Sequence, residues 1–363
     1  MIAGLLEGAF VKPAPTYQKL RGGYYTPKSI ANFLARWAIR SPEANILEPS
    51  CGDGILLESA VEVLLECGAV GGQAVELVHG VELDPLEAAK ALRRLHQFGG
   101  LPFDIHVGDF FSYCKEHLAE KRLFDVVIGN PPFVRYQNFP EDHRTVAFDL
   151  MRSAGLHPNR LTNSWVPFLV AITLLLNEKG RMAMVIPAEL LQVNYAAELR
   201  QFLSQYYTHI TLVTFKKLVF EDTQQEVVLL LGERSGGQKT GIRAVELNGI
   251  DDLNHVAEVV FSNGNLQEKT MNHSTEKWTM YFLDEAEIQL LRNLKTDTRL
   301  TTAHTVIDVD VGIVTGMNNF FVVSGQRVKE LSLEPYTQSL VGRSTYLQGA
   351  IFSIEDWMGT VER

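Results

Sequence analysis

Cysteine is scarce: the 363 residues hold three, Cys51, Cys67 and Cys114, with no CxxC pair. That excludes a disulfide framework and a cysteine-rich zinc centre, and no metal site is expected. Long apolar runs are missing as well. The longest, Phe168 to Leu176, falls well short of the roughly 20 residues that span a bilayer. Met1 to Phe10 carries Glu7 and no basic cluster, unlike a secretory signal. The cytoplasm is the compartment these absences imply, with no membrane partner. Positive charge is also short, 33 Lys and Arg against 43 Asp and Glu, a net charge of −10. A protein that coats nucleic acid through clustered cations is excluded, although a local track is not. Lys12, Lys19, Arg21, Lys28, Arg36 and Arg40 occur over residues 12–40 without one acid, and read either as such a track or as a solvated helix face.

With 46% hydrophobic residues and no repeat, the chain is neither disordered nor collagen-like. Its length accommodates two domains. Over the first two thirds, short β-rich runs alternate with helical patterns, as in an open, mostly parallel α/β sheet. Seven strands are expected, at Asn45 to Glu48, Leu77 to Leu83, Asp104 to Val107, Phe124 to Gly129, Arg181 to Ile186, Ile210 to Phe215 and Glu226 to Leu231. Helices are expected over Pro27 to Ile39, Ile55 to Cys67, Pro85 to Phe98, Val166 to Leu176 and Ala188 to Tyr206. Only a turn separates the last two strands, which predicts an antiparallel hairpin at one edge and so a mixed sheet. The small, polar stretch Ser235 to Gly241 reads as a linker between a domain of residues 1–236 and a smaller unit of residues 237–363. It is not a P-loop, because Gln238 rather than Lys follows Gly237. In the smaller unit a helix is expected near Asp284 to Leu294, and a strand pair around Val306 to Val314 and Phe320 to Val323.

Asn45 to Gly54 reads Asn-Ile-Leu-Glu-Pro-Ser-Cys-Gly-Asp-Gly, a strand ending in a glycine turn that opens a helix. Ligands of open α/β sheets bind outside the carboxyl ends of the strands, where glycine lets the backbone approach them. A pyrophosphate suits this turn poorly: Glu48, Asp53 and Glu58 surround it, and Leu57 stands where the third glycine of GxGxxG belongs. S-adenosylmethionine has no phosphate and carries a sulfonium and an ammonium, so the acidic turn of Glu48, Gly52 and Asp53 suits it. The second strand ends in Glu82, placed for ribose hydroxyls. The third ends in Gly108-Asp109-Phe110, where a carboxylate can take the adenine amino group and a ring can cover its face. Any one of these acids could simply cap the next helix. Three at successive strand ends make a coherent cofactor site.

The fourth strand runs into Asn130-Pro131-Pro132-Phe133. Two prolines fix φ and remove two backbone donors, which leaves a rigid turn. The Asn130 side-chain oxygen and the Pro131 carbonyl can together accept hydrogen bonds from an exocyclic amine. Its nitrogen lone pair is then less committed to the ring and can attack a methyl sulfonium. Phe133 offers a flat face for stacking a base, worth about 1 to 3 kcal/mol.

These motifs, in this order, resemble the N6-adenine DNA methyltransferases of restriction-modification systems, specifically the TaqI and Eco57I types, which place the cofactor motif first, the catalytic motif next and the target-recognition region last. Gly23-Tyr24-Tyr25-Thr26-Pro27 is similar to the family's N-terminal cofactor motif and Leu47 to Gly54 to its main cofactor loop. Gly80 to Pro85, Gly108 to Phe110 and Asn130 to Phe133 complete the run, over about residues 20–235. The resemblance implies a Rossmann-like S-adenosylmethionine-dependent methyltransferase fold with a smaller C-terminal domain, S-adenosylmethionine as cofactor and double-stranded DNA as partner. It implies that Thr26, Glu48, Ser50, Glu82, Asp109, Phe110 and Pro132 line the cofactor pocket, and that Asn130, Pro131 and Phe133 bind a flipped-out adenine. Phe220 matches the second aromatic of the base clamp. Phe133 stands where many members carry Tyr.

Val311 to Gly316 and Ser339 to Arg343 resemble the start of the recognition region, which is expected to be incomplete within residues 237–363. That segment holds 11 Lys and Arg against 17 Asp and Glu, with no basic stripe. A separate restriction endonuclease or specificity partner would accompany such a chain. Two other functions stay open on the residues alone. One is methyl transfer to a protein glutamine or an RNA base, which Asn-Pro-Pro-Phe/Tyr turns also serve. The long insertion Val134 to Ser164, with Arg135, Arg144, Arg152 and Arg160, favours DNA over it. The other is a DNA-recognition subunit without catalysis, against which intact Asn130, Phe133 and Glu82 speak.

Overall fold

Apolar residues in the central strands come in unbroken runs, so both faces of the sheet must be covered. The computed structural model describes residues 25–99, 103–220, 225–235, 241–253, 266–308, 317–338 and 340. Successive strand residues point to opposite faces. Val127, Met182, Met184, Ile186, Val228 and Leu230 accordingly join one apolar layer, and Val126, Ile128, Ala183, Val185, Leu229 and Leu231 the other.

The strands are β1 (Ile46–Glu48), β2 (Val78–Glu82), β3 (Asp104–Val107), β4 (Phe124–Gly129), β5 (Leu176–Pro187), β6 (His209–Phe215), β7 (Val227–Glu233), β8 (Gly241–Leu247) and β9 (Lys269–Thr270). They form one sheet in the order β3-β2-β1-β4-β5-β7-β6-β8-β9. The first five are parallel, β7 is antiparallel to both β5 and β6, β8 is parallel to β6, and β9 is antiparallel to β8. One face is covered by helices α1 (Lys28–Ala38), α2 (Ile55–Glu66), α3 (Gly71–Glu76) and α4 (Pro85–Leu95). The other is covered by α5 (Phe110–Ala119), α6 (Glu141–Ser153), α7 (Trp165–Leu175) and α8 (Ala197–Tyr206).

All seven expected strands are present, and β8 and β9 extend the sheet to nine. The β6–β7 pair is antiparallel as expected but does not lie at an edge. It is β7 that sits between β5 and β6, while β8 begins at the last glycine of the polar stretch and pairs along the far side of β6, from His209↔Gly241 to Phe215↔Leu247. The sheet therefore continues past residue 236. The chain divides into compact units of Met1–Asn293 and Leu294–Arg363.

The helix expected over Ala188 to Tyr206 is broken into 3-10 turns at Ala188–Leu191 and Asn194–Ala196, followed by α8. Arg200 lies at the break: its buried guanidinium donates to the carbonyls of Leu190 and Val193, each at 3.0 Å, and so ties the two 3-10 turns to α8. Late in the chain, α9 (Glu285–Thr296) matches the expected helix. The expected strand pair does not form where it is described. Val306 and Ile307 follow a 3-10 turn, and Phe320 and Phe321 close the short helix Asn318–Phe321. Phe-Phe-Val-Val has β propensity without alternation, and propensity alone does not make a strand. Residues 309–316 lie outside the described residues. No described helix is long and apolar enough to cross a membrane.

Candidate active site

The strand order reverses between β1 and β4, and open α/β sheets bind ligands at such a switch point, outside the carboxyl ends of the strands. A cavity of about 300 Å³ opens there. Ser50 and Gly52 from the loop after β1, Glu82 from β2, Asp109 and Phe110 after β3, and Asn130 and Pro132 after β4 all line it.

Gly52 and Gly54 take φ values of 52° and 81° in the loop after β1. A Cβ on Gly54 would lie 2.8 Å from Ala91 Cα and Cβ, so the glycine also lets α2 close on α4. Glu82 is 8% exposed and ties β2 to this loop, accepting from Gly52 N at 2.9 Å and from Asp84 N at 2.8 Å. Asp53 turns elsewhere. Its Oδ2 meets Arg94 Nη2 at 2.6 Å, Arg94 Nε donates to its carbonyl at 2.9 Å, and the residue does not line the cavity. Arg94 also reaches Glu58 at 3.2 Å, so both acids brace the loop through α4. Glu48 is 2% exposed, and its Oε2 has no hydrogen-bond partner among the described residues. Burial, with Asp53 and Glu82 adding negative charge nearby, holds its carboxyl well above the usual range.

Asp109 is at once a cap and part of the wall. Its Oδ2 accepts from Ser112 N at 2.8 Å and Ser112 Oγ at 2.9 Å at the start of α5. Phe110 stacks on Phe168 with ring centroids 4.9 Å apart.

On the Asn-Pro-Pro-Phe turn, Asn130 Nδ2 donates to Thr26 Oγ1 at 3.3 Å, and Ser50 Oγ donates to the Asn130 carbonyl at 3.3 Å. The N-terminal motif, the glycine loop and the turn thus meet at one residue. Pro131 is buried and Phe133 half-buried, and neither lines the cavity. Phe220 is buried in an apolar cluster against which Phe133 also packs. Because β6 runs parallel to β5, the loop carrying Phe220 leaves the sheet on the same edge as the Asn130 turn.

Ser164 escaped the sequence reading. Its Oγ accepts from Val134 N at 2.9 Å and donates to the Pro132 carbonyl at 2.5 Å, while its amide donates to the Val134 carbonyl at 2.9 Å. In sequence, a serine before a helix reads as an N-cap. Here it makes no cap bond to α7, and the hydroxyl serves the turn instead. The far wall was missed too: Asn138, Phe139, Pro140 and His143, from the insertion whose arginines favoured a DNA substrate, close the cavity. Arg144 of that insertion lies 4.5 Å over the Tyr136 ring and donates to the Phe139 carbonyl at 3.1 Å. Of the basic run, Lys28 pairs with Glu58 and Glu62, and Arg36 with Glu66, which is the solvated-face reading. Lys12, Lys19 and Arg21 lie outside the described residues.

Residues 3–304 match the N-6 DNA methylase family, and residues 275–363 match the C-terminal domain of Type II methyltransferase M.Eco57I. The chain belongs to the N-6 DNA methylase family. It is 22% identical over 329 residues to Type II methyltransferase M.AccI of Acinetobacter calcoaceticus, covering 88% of this chain and 56% of that protein. It is 22% identical over 346 residues to Type II methyltransferase M.HindII of Haemophilus influenzae, covering 92% and 60%. The chain thus spans little more than half the length of these relatives. Its fold is similar to one in the DrdV–DNA complex, with a TM-score of 0.57 at 14% identity over 70% of this chain and 31% of that one. It is also similar to a chain of a type I restriction-modification assembly, with a TM-score of 0.53 at 19% identity over 76% and 64%.

N-6 DNA methylases use S-adenosylmethionine, and the cavity fits it. Acids stand at the ends of β2 and β3, and β1 ends in Glu48, whose buried carboxyl has one unpartnered oxygen among the described residues. A cationic, donor-bearing ligand suits such a set.

Proposed function

We propose that this chain carries the catalytic domain of a DNA adenine methyltransferase of a restriction-modification system, acting at N6 of an adenine flipped out of the duplex. The observation that carries this reading is the junction of Thr26, Ser50 and Asn130, which sets the amine-accepting turn at the rim of the cofactor cavity. When bound, S-adenosylmethionine supplies an electrophilic methyl group. Glu82 holds the ribose hydroxyls, since a carboxylate oxygen can accept more than one hydrogen bond. Asp109 accepts from the cofactor's adenine amino group, and Phe110 and Pro132 cover the ring. Thr26 orients Asn130, and Glu48, Ser50, Gly52 and Asp53 shape the loop at the methionine end.

At the target, the Asn130 side-chain oxygen and the Pro131 carbonyl accept from the exocyclic amine, and Phe133 and Phe220 hold the base between them. The amine keeps its protons until the methyl has moved, so no strong base is needed beforehand. Residues 275–363, which match the M.Eco57I C-terminal domain, contribute to target recognition. Duplex DNA is the partner, a restriction endonuclease or specificity subunit the expected companion, and the cytoplasm the compartment.

Label transfer from methyl-tritiated S-adenosylmethionine to plasmid DNA free of adenine methylation, bulk tRNA and a glutamine peptide tests the reading. Label on DNA alone supports it. Label on RNA or peptide hands the function to that substrate class.

A further inference from the structure

The Asp109 carboxylate is approached from two walls of the cavity. Ser112 holds Oδ2 from the start of α5. His143 of α6 faces Oδ1, with Nδ1 at 3.4 Å. Both side chains are shielded, Asp109 14% and His143 23% exposed, and both line the cavity. The other His143 nitrogen lies 3.7 Å from Asp142 Oδ2, and the neighbouring Arg144 pins its segment through the Tyr136 ring and the Phe139 carbonyl. The imidazole is therefore presented from a braced wall.

We propose that His143 is a positioning residue that fixes the Asp109 carboxylate, so that the cavity distinguishes a 6-amino from a 6-oxo purine in its cofactor. The inference rests on the cofactor orientation given under the proposed function. The terminal torsion of an aspartate is broad. Ser112 alone restrains one oxygen and leaves the carboxylate plane free to swing about it. The His143 ring nitrogen, 3.4 Å from Oδ1 on a second wall, restricts that swing. A fixed acceptor bonds a 6-amino donor and repels a 6-oxo oxygen, whereas a mobile one turns away from the oxygen and discriminates less. Mispaired polar groups in a closed site are the strongest source of such selectivity.

Calorimetry on the full 363-residue chain with S-adenosylhomocysteine and its 6-oxo analogue, S-inosylhomocysteine, tests this for wild type, His143→Ala and His143→Gln. Wild type should favour the adenosyl compound by about a hundredfold, and His143→Ala should cut that preference about tenfold. His143→Gln keeps an N–H donor and should restore most of it. Equal weakening of both ligands in His143→Ala, with the ratio intact, marks a merely structural role and overturns the proposal while the cofactor reading stands. A wild type that binds neither compound, or both alike, overturns the cofactor reading and this inference together.

Discussion

Replacing Ser164 by alanine removes one oxygen and two hydrogen bonds from the Asn-Pro-Pro-Phe turn, those with Val134 N at 2.9 Å and the Pro132 carbonyl at 2.5 Å. Ser164 is 2% exposed, so both bonds are made away from bulk water. An internal hydrogen bond contributes about 1 kcal/mol net, and a buried partner left unsatisfied costs about 1 to 3 kcal/mol. Two stranded backbone groups, on residues that are themselves only half-buried, put the loss in the lower part of the summed range, at about 2 to 4 kcal/mol. Helix capping does not account for it, because the side chain makes no bond to α7. That supplies a control. Ser164→Asp installs a strong N-cap residue but, when ionised, has no proton for the Pro132 carbonyl, so it should not recover the stability. Urea denaturation of both variants measures the difference from the shift in midpoint at constant m. A loss below about 0.5 kcal/mol in Ser164→Ala, typical of a surface site, or full recovery in Ser164→Asp, would refute the claim that this hydroxyl anchors the turn.

Gly54→Ala forces a side chain onto a φ of 81° and against Ala91, and thermal melting should show a loss of about 1 to 3 kcal/mol; an unchanged midpoint contradicts the close approach of α2 and α4. Glu48 has its carboxyl raised by burial, so the folded state holds its proton more tightly than the unfolded chain. Wild-type stability should therefore fall as pH rises from the ordinary glutamate range toward the raised folded value, and Glu48→Gln should gain on wild type over that window. Denaturation curves that stay parallel across about pH 5 to 8 would show that Glu48 is ionised in the fold. Phe133→Tyr should keep its methyl-transfer rate on DNA, whereas Phe133→Ala should lose stacking worth about 1 to 3 kcal/mol; equal rates for the two contradict a base-stacking role.

The carboxyl edge of the sheet was legible in sequence for a physical reason. Buried β4 reads as an apolar run whose first polar residue, Asn130, marks the ligand side, and Glu82 and Asp109 stand at the corresponding carboxyl ends of β2 and β3, each just ahead of a helix. Features that depend on distant partners were not legible. Strand β8 is written Gly-Ile-Arg-Ala-Val-Glu-Leu, and its buried Arg243 is matched by Glu268 at 3.2 Å, a pairing no local pattern announces. Asp53 reads as a cofactor acid until Arg94 captures it across the fold. Ser164 and His143 likewise gain their meaning from Pro132 and Asp109, which only the closed sheet brings near.

In the proposed function Asn130, held on its turn by Thr26 and Ser50, directs a methyl group to the exocyclic amine of adenine in DNA. Nucleoside mass spectrometry of DNA incubated with the chain and methyl-deuterated S-adenosylmethionine, with Asn130→Ala alongside, tests it most directly. Wild type should yield labelled N6-methyladenine and Asn130→Ala none, although the variant still binds cofactor. N4-methylcytosine as the product, or N6-methyladenine formed equally well by Asn130→Ala, would contradict it.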